Sequence, residues 1–201
     1  MKGKQMSDFI LASASPRRKE LLERLGIDFE IIVSEANEGS IPKDIPVKLY
    51  VQELAMLKAC AAARQVLKNK NALVIAADTV VTLDGEVLGK PKDGEDAFNM
   101  LKSLSGRCHE VYTGICVMRM RDAKTVCRAV KTDVRFKELT DEKVHAYIAT
   151  GEPMDKAGAY GIQGIGAVLV DGIDGDYFNV VGLPLAALSD VLENEFDVEI
   201  L

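Results

Sequence analysis

The sequence predicts a mixed fold, of the α/β or α+β class, and three observations carry that prediction. Short apolar runs with strand character alternate with stretches whose apolar residues recur at helical spacing. An unbroken apolar run, Ala72 to Ala77, reads as a strand crossing the core. Two long strand-like stretches, Val111 to Met120 and Thr125 to Phe136, flank a turn near Asp122.

Taken in chain order, Phe9 to Ala12 reads as a short buried strand. Ser15 then suits a helix N-cap and Pro16 the first helical position. Leu21, Leu22 and Leu25 form the apolar stripe of that helix, and Gly26 ends it. Phe29 to Val33 is the next strand. A longer helix is expected from about Pro46 to Leu67, with Tyr50, Leu54, Leu57 and Ala61 on one face and Val51 beside them. Lys58 falls on the edge of that face, where a lysine needs a reason. The central strand runs into Asp78 and continues through Thr79, Val80 and Val81. Asp84-Gly85 is a hairpin signal, with a return strand from Glu86 to Gly89. Asp93 caps a helix carrying Ala97, Met100, Leu101 and Leu104, closed by Ser105-Gly106. Thr140 caps another, with Asp141 and Glu142 in its first turn. A glycine-rich loop spans Gly158 to Gly164, Ala167 to Val170 is a strand, Asp174-Gly175 a turn, and Pro184 opens a last helix.

Composition narrows the function classes. A chain of 201 residues with 48% hydrophobic and 28% charged residues buries a core without staples. Its net charge of −6 and its 5% aromatic content speak against a nucleic-acid module, because such modules present basic surface and stacking platforms. A locally basic nucleotide pocket remains compatible with an acidic protein. The four cysteines, Cys60, Cys108, Cys116 and Cys127, include no Cys-x-x-Cys pair, and only His109 and His145 could assist them. A zinc site is not expected; free, mostly buried thiols in a reducing compartment are. The start of the chain lacks the apolar stretch of a signal peptide, and no run approaches the roughly 18 apolar residues of a membrane span. The expectation is a cytoplasmic protein without membrane or nucleic-acid partners.

Several residues carry chemistry. Ser13-x-Ser15-x-x-Arg18, with Arg17, lies between a strand and a helix start, where free N–H groups, hydroxyls and guanidinium groups favour phosphate; the same residues also fit an ordinary capped helix with two solvated arginines. Asp78 ends the most apolar run, so it needs partners and suits a hard cation or a general base, or else a hydrogen-bonded turn. Lys58 and Lys90 suit phosphate oxygens, unless they snorkel to solvent. Glu35, after the strand Ile31 to Val33, is a second carboxylate for a metal or a solvated loop residue. Gln163 sits among glycines and can read a base edge with donor and acceptor together. His109 has no nucleophile beside it and reads as structural. Together these residue types describe a nucleotide polyphosphate site by composition; spacing alone leaves open whether they converge.

The sequence resembles the Maf family. The matching segments are Ser13-Ala-Ser-Pro-Arg-Arg18, Ala77-Asp78-Thr79-Val80, Gly89-Lys90-Pro91, Leu104-Ser-Gly-Arg-Cys-His109, Asp155-Lys-Ala-Gly-Ala-Tyr-Gly-Ile-Gln-Gly164 and Phe178-Asn179-Val180-Val181-Gly182-Leu183-Pro184. They run in the expected order over about residues 8–195, with Cys108 a departure at a permissive position. The resemblance implies that residues 1–201 form one Maf-like domain, its fold like that of inosine triphosphate pyrophosphatases: elongated, mixed α/β, with two lobes around a central cleft.

The same resemblance implies hydrolysis of a nucleoside triphosphate to monophosphate and pyrophosphate with a divalent cation, Mg²⁺ or Mn²⁺. Asp78 is then the proton acceptor, and Ser13, Ser15, Arg18, Lys58 and Lys90 hold the triphosphate. Glu35 joins Asp78 at the metal. Arg17, Thr79 and Gln163 match the three residues that mark the dTTP/UTP subgroup, with modified pyrimidine nucleotides as further substrates. Two alternatives stand beside this reading: the 7-methyl-GTP subgroup of the same family, and a non-catalytic nucleotide-binding regulator of cell division. A homodimer is implied by resemblance only.

Overall fold

The computed structural model describes residues 9–33, 36–67 and 69–201. In chain order the regular elements are β1 (Phe9–Leu11), α1 (Pro16–Arg24), β2 (Phe29–Ile31), α2 (Val47–Ala63), β3 (Leu73–Leu83) and β4 (Glu86–Leu88). Then come α3 (Gly94–Leu104), β5 (Cys108–Arg119), β6 (Thr125–Phe136), α4 (Asp141–Ile148), β7 (Val170–Asp174), α5 (Tyr177–Val181) and α6 (Leu185–Phe196). Among the described residues the strands form one sheet in the order β2-β1-β3-β5-β6-β7, with β4 on β3 off that path. The mixed α/β class is therefore observed. No helix among the described residues is long and apolar enough to cross a membrane.

The chain divides into two compact units. The first holds the described residues up to Asp78, together with Thr113–Val130 and Gly182–Leu201. Here β1 lies between β2 and β3, parallel to both, with Phe9 opposite Phe29 on one side and Leu73 on the other. The parallel pairing explains the unalternated apolar run in β3, which is buried on both faces over Leu73–Ala77. The core joins Ile10, Val74, Ala76 and Cys116 to Ala55, Ala59 and Ala62 of α2. These small side chains let α2 lie close on the sheet. At Gly114 of β5 the approach is closest: a Cβ there would fall 2.1 Å from the Val51 carbonyl oxygen.

Helix α2 ends at Ala63, four residues before the expected Leu67, and its buried face is Tyr50, Val51, Leu54, Ala55, Ala59, Ala62 and Ala63. Leu57 and Ala61, expected on that face, are only partly buried. The stripe follows the alanines because their size, more than their hydrophobicity, decides what fits against a backbone. The thiols also differ from expectation: all four are free, but Cys116 alone is buried and Cys108 is exposed.

The second unit comprises Thr79–Tyr112 and Lys131–Val181. β4 pairs antiparallel with β3, Val81 opposite Leu88. Asp84 and Gly85 both take positive φ, 53° and 85°, as a two-residue hairpin turn requires. α3 begins at its expected cap, Asp93, whose side chain accepts from the Asp96 N–H. Thr140 likewise caps α4 by accepting from Lys143 N–H. The core packs Ala97, Leu101 and Leu104 of α3 with Val144 and Tyr147 of α4 and with Val81, Val111, Val134 and Phe136 of the sheet. Asn179 is structural: its side-chain amide donates to Val111 O and Thr132 Oγ1, each at 3.0 Å.

One local expectation fails here, and one element was not expected. Ile165–Leu169 is a 3-10 turn, and the strand runs Val170–Asp174. The turn persists because the Glu152 carboxylate accepts from the Ile165 and Gly166 N–H groups, which a strand would have sent to a neighbour. Helix α5 was not anticipated, although Asp176 announces it by accepting from Phe178 N–H at 2.7 Å.

His109 is 2% exposed and meets Phe136 and Tyr160 edge-on at 5.0 and 5.3 Å between ring centroids. Its Nε2 hydrogen-bonds the Tyr160 hydroxyl at 2.8 Å. Burial lowers its pKa from 6.5 to about 4. Above pH 6.5 the ring is neutral folded or unfolded, so it has no effect on stability there. As pH falls from about 6.5 to 4, the unfolded chain takes up a proton that the fold refuses, so stability falls, by on the order of 3 kcal/mol in all. His109→Gln keeps a polar partner for Tyr160 and removes this loss. In urea titrations between pH 7 and 4, the variant is expected to lose stability with acid less steeply than the parent; parallel curves would contradict the assignment.

Candidate functional site

The first unit builds a cationic corner around the β1–α1 connection. Ser13 follows β1 and is buried. Its Oγ accepts from Ser15 N–H at 3.2 Å and from Arg18 Nη1 at 3.3 Å. Arg18 Nε donates to Gly182 O at 2.8 Å, so the guanidinium is pinned from two directions. Ser15 occupies the N-cap position as expected, with Pro16 in the first turn, but its hydroxyl makes no capping bond. That leaves a hydroxyl at the positive end of a helix, an arrangement suited to an anion. Burial lowers the Arg18 pKa, and the field of Asp78 opposes that shift while neighbouring Arg17 adds to it. Arg18 therefore lies within electrostatic reach of both groups. Arg17 itself is half-buried on α1.

The second feature joins α2 to the middle of β3. Lys58 Nζ donates to Asp78 Oδ1 at 2.5 Å and lies 2.8 Å from Glu38 Oε1. The Lys58 and Asp78 side chains are 15% and 13% exposed, whereas Glu38 is 54% exposed, so the lysine links an inner carboxylate to an outer one. Burial raises the Tyr50 pKa, and the fields of Asp78 and Glu38 raise it further. Glu38 and Tyr50 were not singled out from the sequence. Tyr50 read as core. Glu38 stands three residues after Glu35 in the same polar stretch, and nothing in the local pattern prefers one to the other. Glu35 lies outside the described residues.

Ser13, Ser15, Arg17, Arg18, Lys58 and Asp78 thus belong to one unit, and Glu38 joins them there. Thr79, Lys90 and Gln163 belong to the other. Thr79 is half-buried, while Lys90 and Gln163 are exposed. The Lys90 turn is tied down through Gly89, whose carbonyl accepts from Gly158 N–H at 3.0 Å. Gly158 takes φ +67° and packs against Val81, where a Cβ would come within 2.9 Å.

A hard divalent cation fits this donor set. Lys58 engages one oxygen of Asp78, and Glu38 supplies a second carboxylate nearby. Among the described residues there is no group of three or more His, Cys, Asp or Glu side chains placed to hold a metal. Mg²⁺ on a nucleotide needs no such cage: one or two carboxylates suffice, with phosphates and water completing the shell.

Fold and site define a mixed α/β protein that gathers arginine, lysine and carboxylate groups about the middle of a buried strand. The profile of the Maf-like protein family matches residues 8–195, and the chain belongs to that family. A relative from Thermoanaerobacter sp. (strain X514), named dTTP/UTP pyrophosphatase, is 53% identical over 96% of this chain and 98% of its own. Relatives of the same name from Clostridium novyi (strain NT) and Alkaliphilus metalliredigens (strain QYMF) are 54% and 50% identical, covering 89% and 98% of this chain and 93% and 100% of theirs. A solved structure of a HAM1 protein from Coxiella burnetii aligns with a TM-score of 0.44 at 19% identity, over 65% of this chain and 73% of the other.

Proposed function

We propose that this protein hydrolyses dTTP and UTP, and modified pyrimidine triphosphates, to the monophosphate and pyrophosphate. The observation that carries the chemistry is the Lys58–Asp78 pair, with Glu38 on the same lysine and Arg18 within its field. The names of the relatives supply the substrate class. In this reading Asp78 takes the proton of the water that attacks the α-phosphorus. Lys58 and Lys90 offset negative charge as it moves onto the leaving pyrophosphate, and Arg18, Ser13 and Ser15 hold phosphate oxygens by charge-assisted hydrogen bonds.

Asp78 and Glu38, with Glu35, are the carboxylates that would hold Mg²⁺ or Mn²⁺, which when bound lowers the pKa of water and neutralises phosphate charge. Without nucleotide, Lys58 serves as the counter-ion of Asp78 and Glu38. Arg17, Thr79 and Gln163 read the pyrimidine. A site that hydrogen-bonds one base edge rejects another base because its own polar groups would be left unpaired. The enzyme is taken to work in the cytoplasm, as a homodimer.

Hydrolysis of UTP in ¹⁸O-water tests the bond assignment. Label is expected in UMP, reporting attack at the α-phosphorus. Label in pyrophosphate, or release of single phosphates, would contradict it. Gln163→Ala is expected to lower kcat/KM for UTP by about tenfold and that for GTP far less; equal losses would make Gln163 structural.

A further inference from the structure

The loop that carries Gln163 is held by one carboxylate and one phenol. Glu152 stands at the start of a 3-10 turn, Glu152–Asp155. Its Oε2 accepts from Ile165 N–H at 2.8 Å, and its Oε1 accepts from Gly166 N–H at 3.1 Å and from the Tyr147 hydroxyl at 2.9 Å. The same Tyr147 oxygen accepts from Gly161 N–H at 3.1 Å. Gln163 therefore has an anchored backbone two residues before it and two residues after it, while its own side chain stays exposed.

Two glycines of this loop are explained by the clamp. A Cβ on Gly164 would fall 2.3 Å from Glu152 Oε2, and one on Gly166 2.5 Å from the Tyr147 hydroxyl. From the sequence these glycines suggested close approach of a ligand; the structure gives two of them a protein carboxylate and phenol to approach instead. Lys156 Nζ donates to the Glu152 carbonyl at 2.8 Å and closes the same turn. The N–H donors that converge on the carboxylate hold Glu152 below the usual glutamate range, against the opposing effect of its partial burial.

We infer that Glu152, acting with Tyr147, is a positioning residue for substrate selection: it fixes the loop 161–166 so that Gln163 meets the base in one orientation. The inference rests on the reading that Gln163 recognises the pyrimidine. Glu152 touches no substrate. Its effect passes through the rigidity of the loop, since an amide on a loose loop pairs with either base edge and discriminates poorly.

The test compares kcat/KM for UTP and GTP in the parent, Glu152→Gln, Gln163→Ala and the double variant, with Tm measured alongside. Glutamine offers one acceptor oxygen where the carboxylate offers two, so in Glu152→Gln the Ile165 or the Gly166 N–H loses its acceptor and faces an amide NH₂ instead, which loosens the flank after Gln163. It is expected to cut the UTP-over-GTP preference by about tenfold and to cut it no further once Gln163 is alanine. A Glu152→Gln enzyme that keeps its preference while Gln163→Ala loses it overturns the inference and leaves the base reading intact. If Gln163→Ala also keeps the preference, the base reading fails and the inference with it. Should Glu152→Gln not fold, Tyr147→Phe removes two of the same hydrogen bonds while keeping the ring, and a smaller loss of preference is expected; an unchanged preference there overturns the inference.

Discussion

Asp78→Asn is expected to lower kcat for UTP by at least about 100-fold, the lower end for loss of a general base, with little change in Tm. The amide is the same size as the carboxylate and can still accept from Lys58 Nζ, which now sits 2.5 Å from Oδ1. Breaking a buried ion pair is costly when a charge is left alone. Here Lys58 keeps Glu38 at 2.8 Å, and that second carboxylate is 54% exposed, so the lysine stays paired in a solvated direction. What asparagine cannot do is take a proton from water or offer a full negative charge to a cation. Parallel assays of turnover and thermal unfolding separate the two effects. A folded Asp78→Asn enzyme with near-parental turnover would remove Asp78 from its assigned role.

The largest stability effect is expected at Gly114. A Cβ at this position would lie 2.1 Å from the Val51 carbonyl oxygen and 2.4 Å from its carbon, both backbone atoms that no rotamer change can move aside. Gly114→Ala must therefore push α2 off β5, at a cost of about 3 kcal/mol or more. For a chain of this length that corresponds to a fall in Tm of about 10 °C. The displacement also reaches the site, because Lys58 lies two turns along α2 from Val51 and must still meet Asp78. Activity should fall even at temperatures where the variant remains folded. An unchanged Tm would mean that α2 does not rest on β5 at this point.

Much of this was legible in the sequence, for reasons that differ by residue. Asp78 stood out because a carboxylate at the end of six apolar residues is costly without partners, and its partner proved to be Lys58, the one lysine on the inner side of its helix. Asp93 and Thr140 were readable as caps because the motif is local. Glu38 was not, since nothing local separates it from Glu35; only the fold of the connection brings it to Lys58. Ala167 to Val170 read as a strand because its apolar run has strand composition, whereas most of it belongs to the turn Ile165–Leu169, and the carboxylate that holds that turn lies thirteen residues before Ile165. Gly114 carries a signal of its own: a glycine inside a strand often marks the approach of another backbone, here that of Val51.

The most direct test of the central claim is pyrophosphate release with Mg²⁺ from dTTP, UTP, CTP, GTP and 7-methyl-GTP, measured as kcat/KM on the same preparation. Turnover concentrated on dTTP and UTP is the predicted result. Turnover concentrated on 7-methyl-GTP would contradict the pyrimidine-reading role of Arg17, Thr79 and Gln163, and turnover on none of them would contradict the catalytic role of Asp78 and favour a nucleotide-binding regulator.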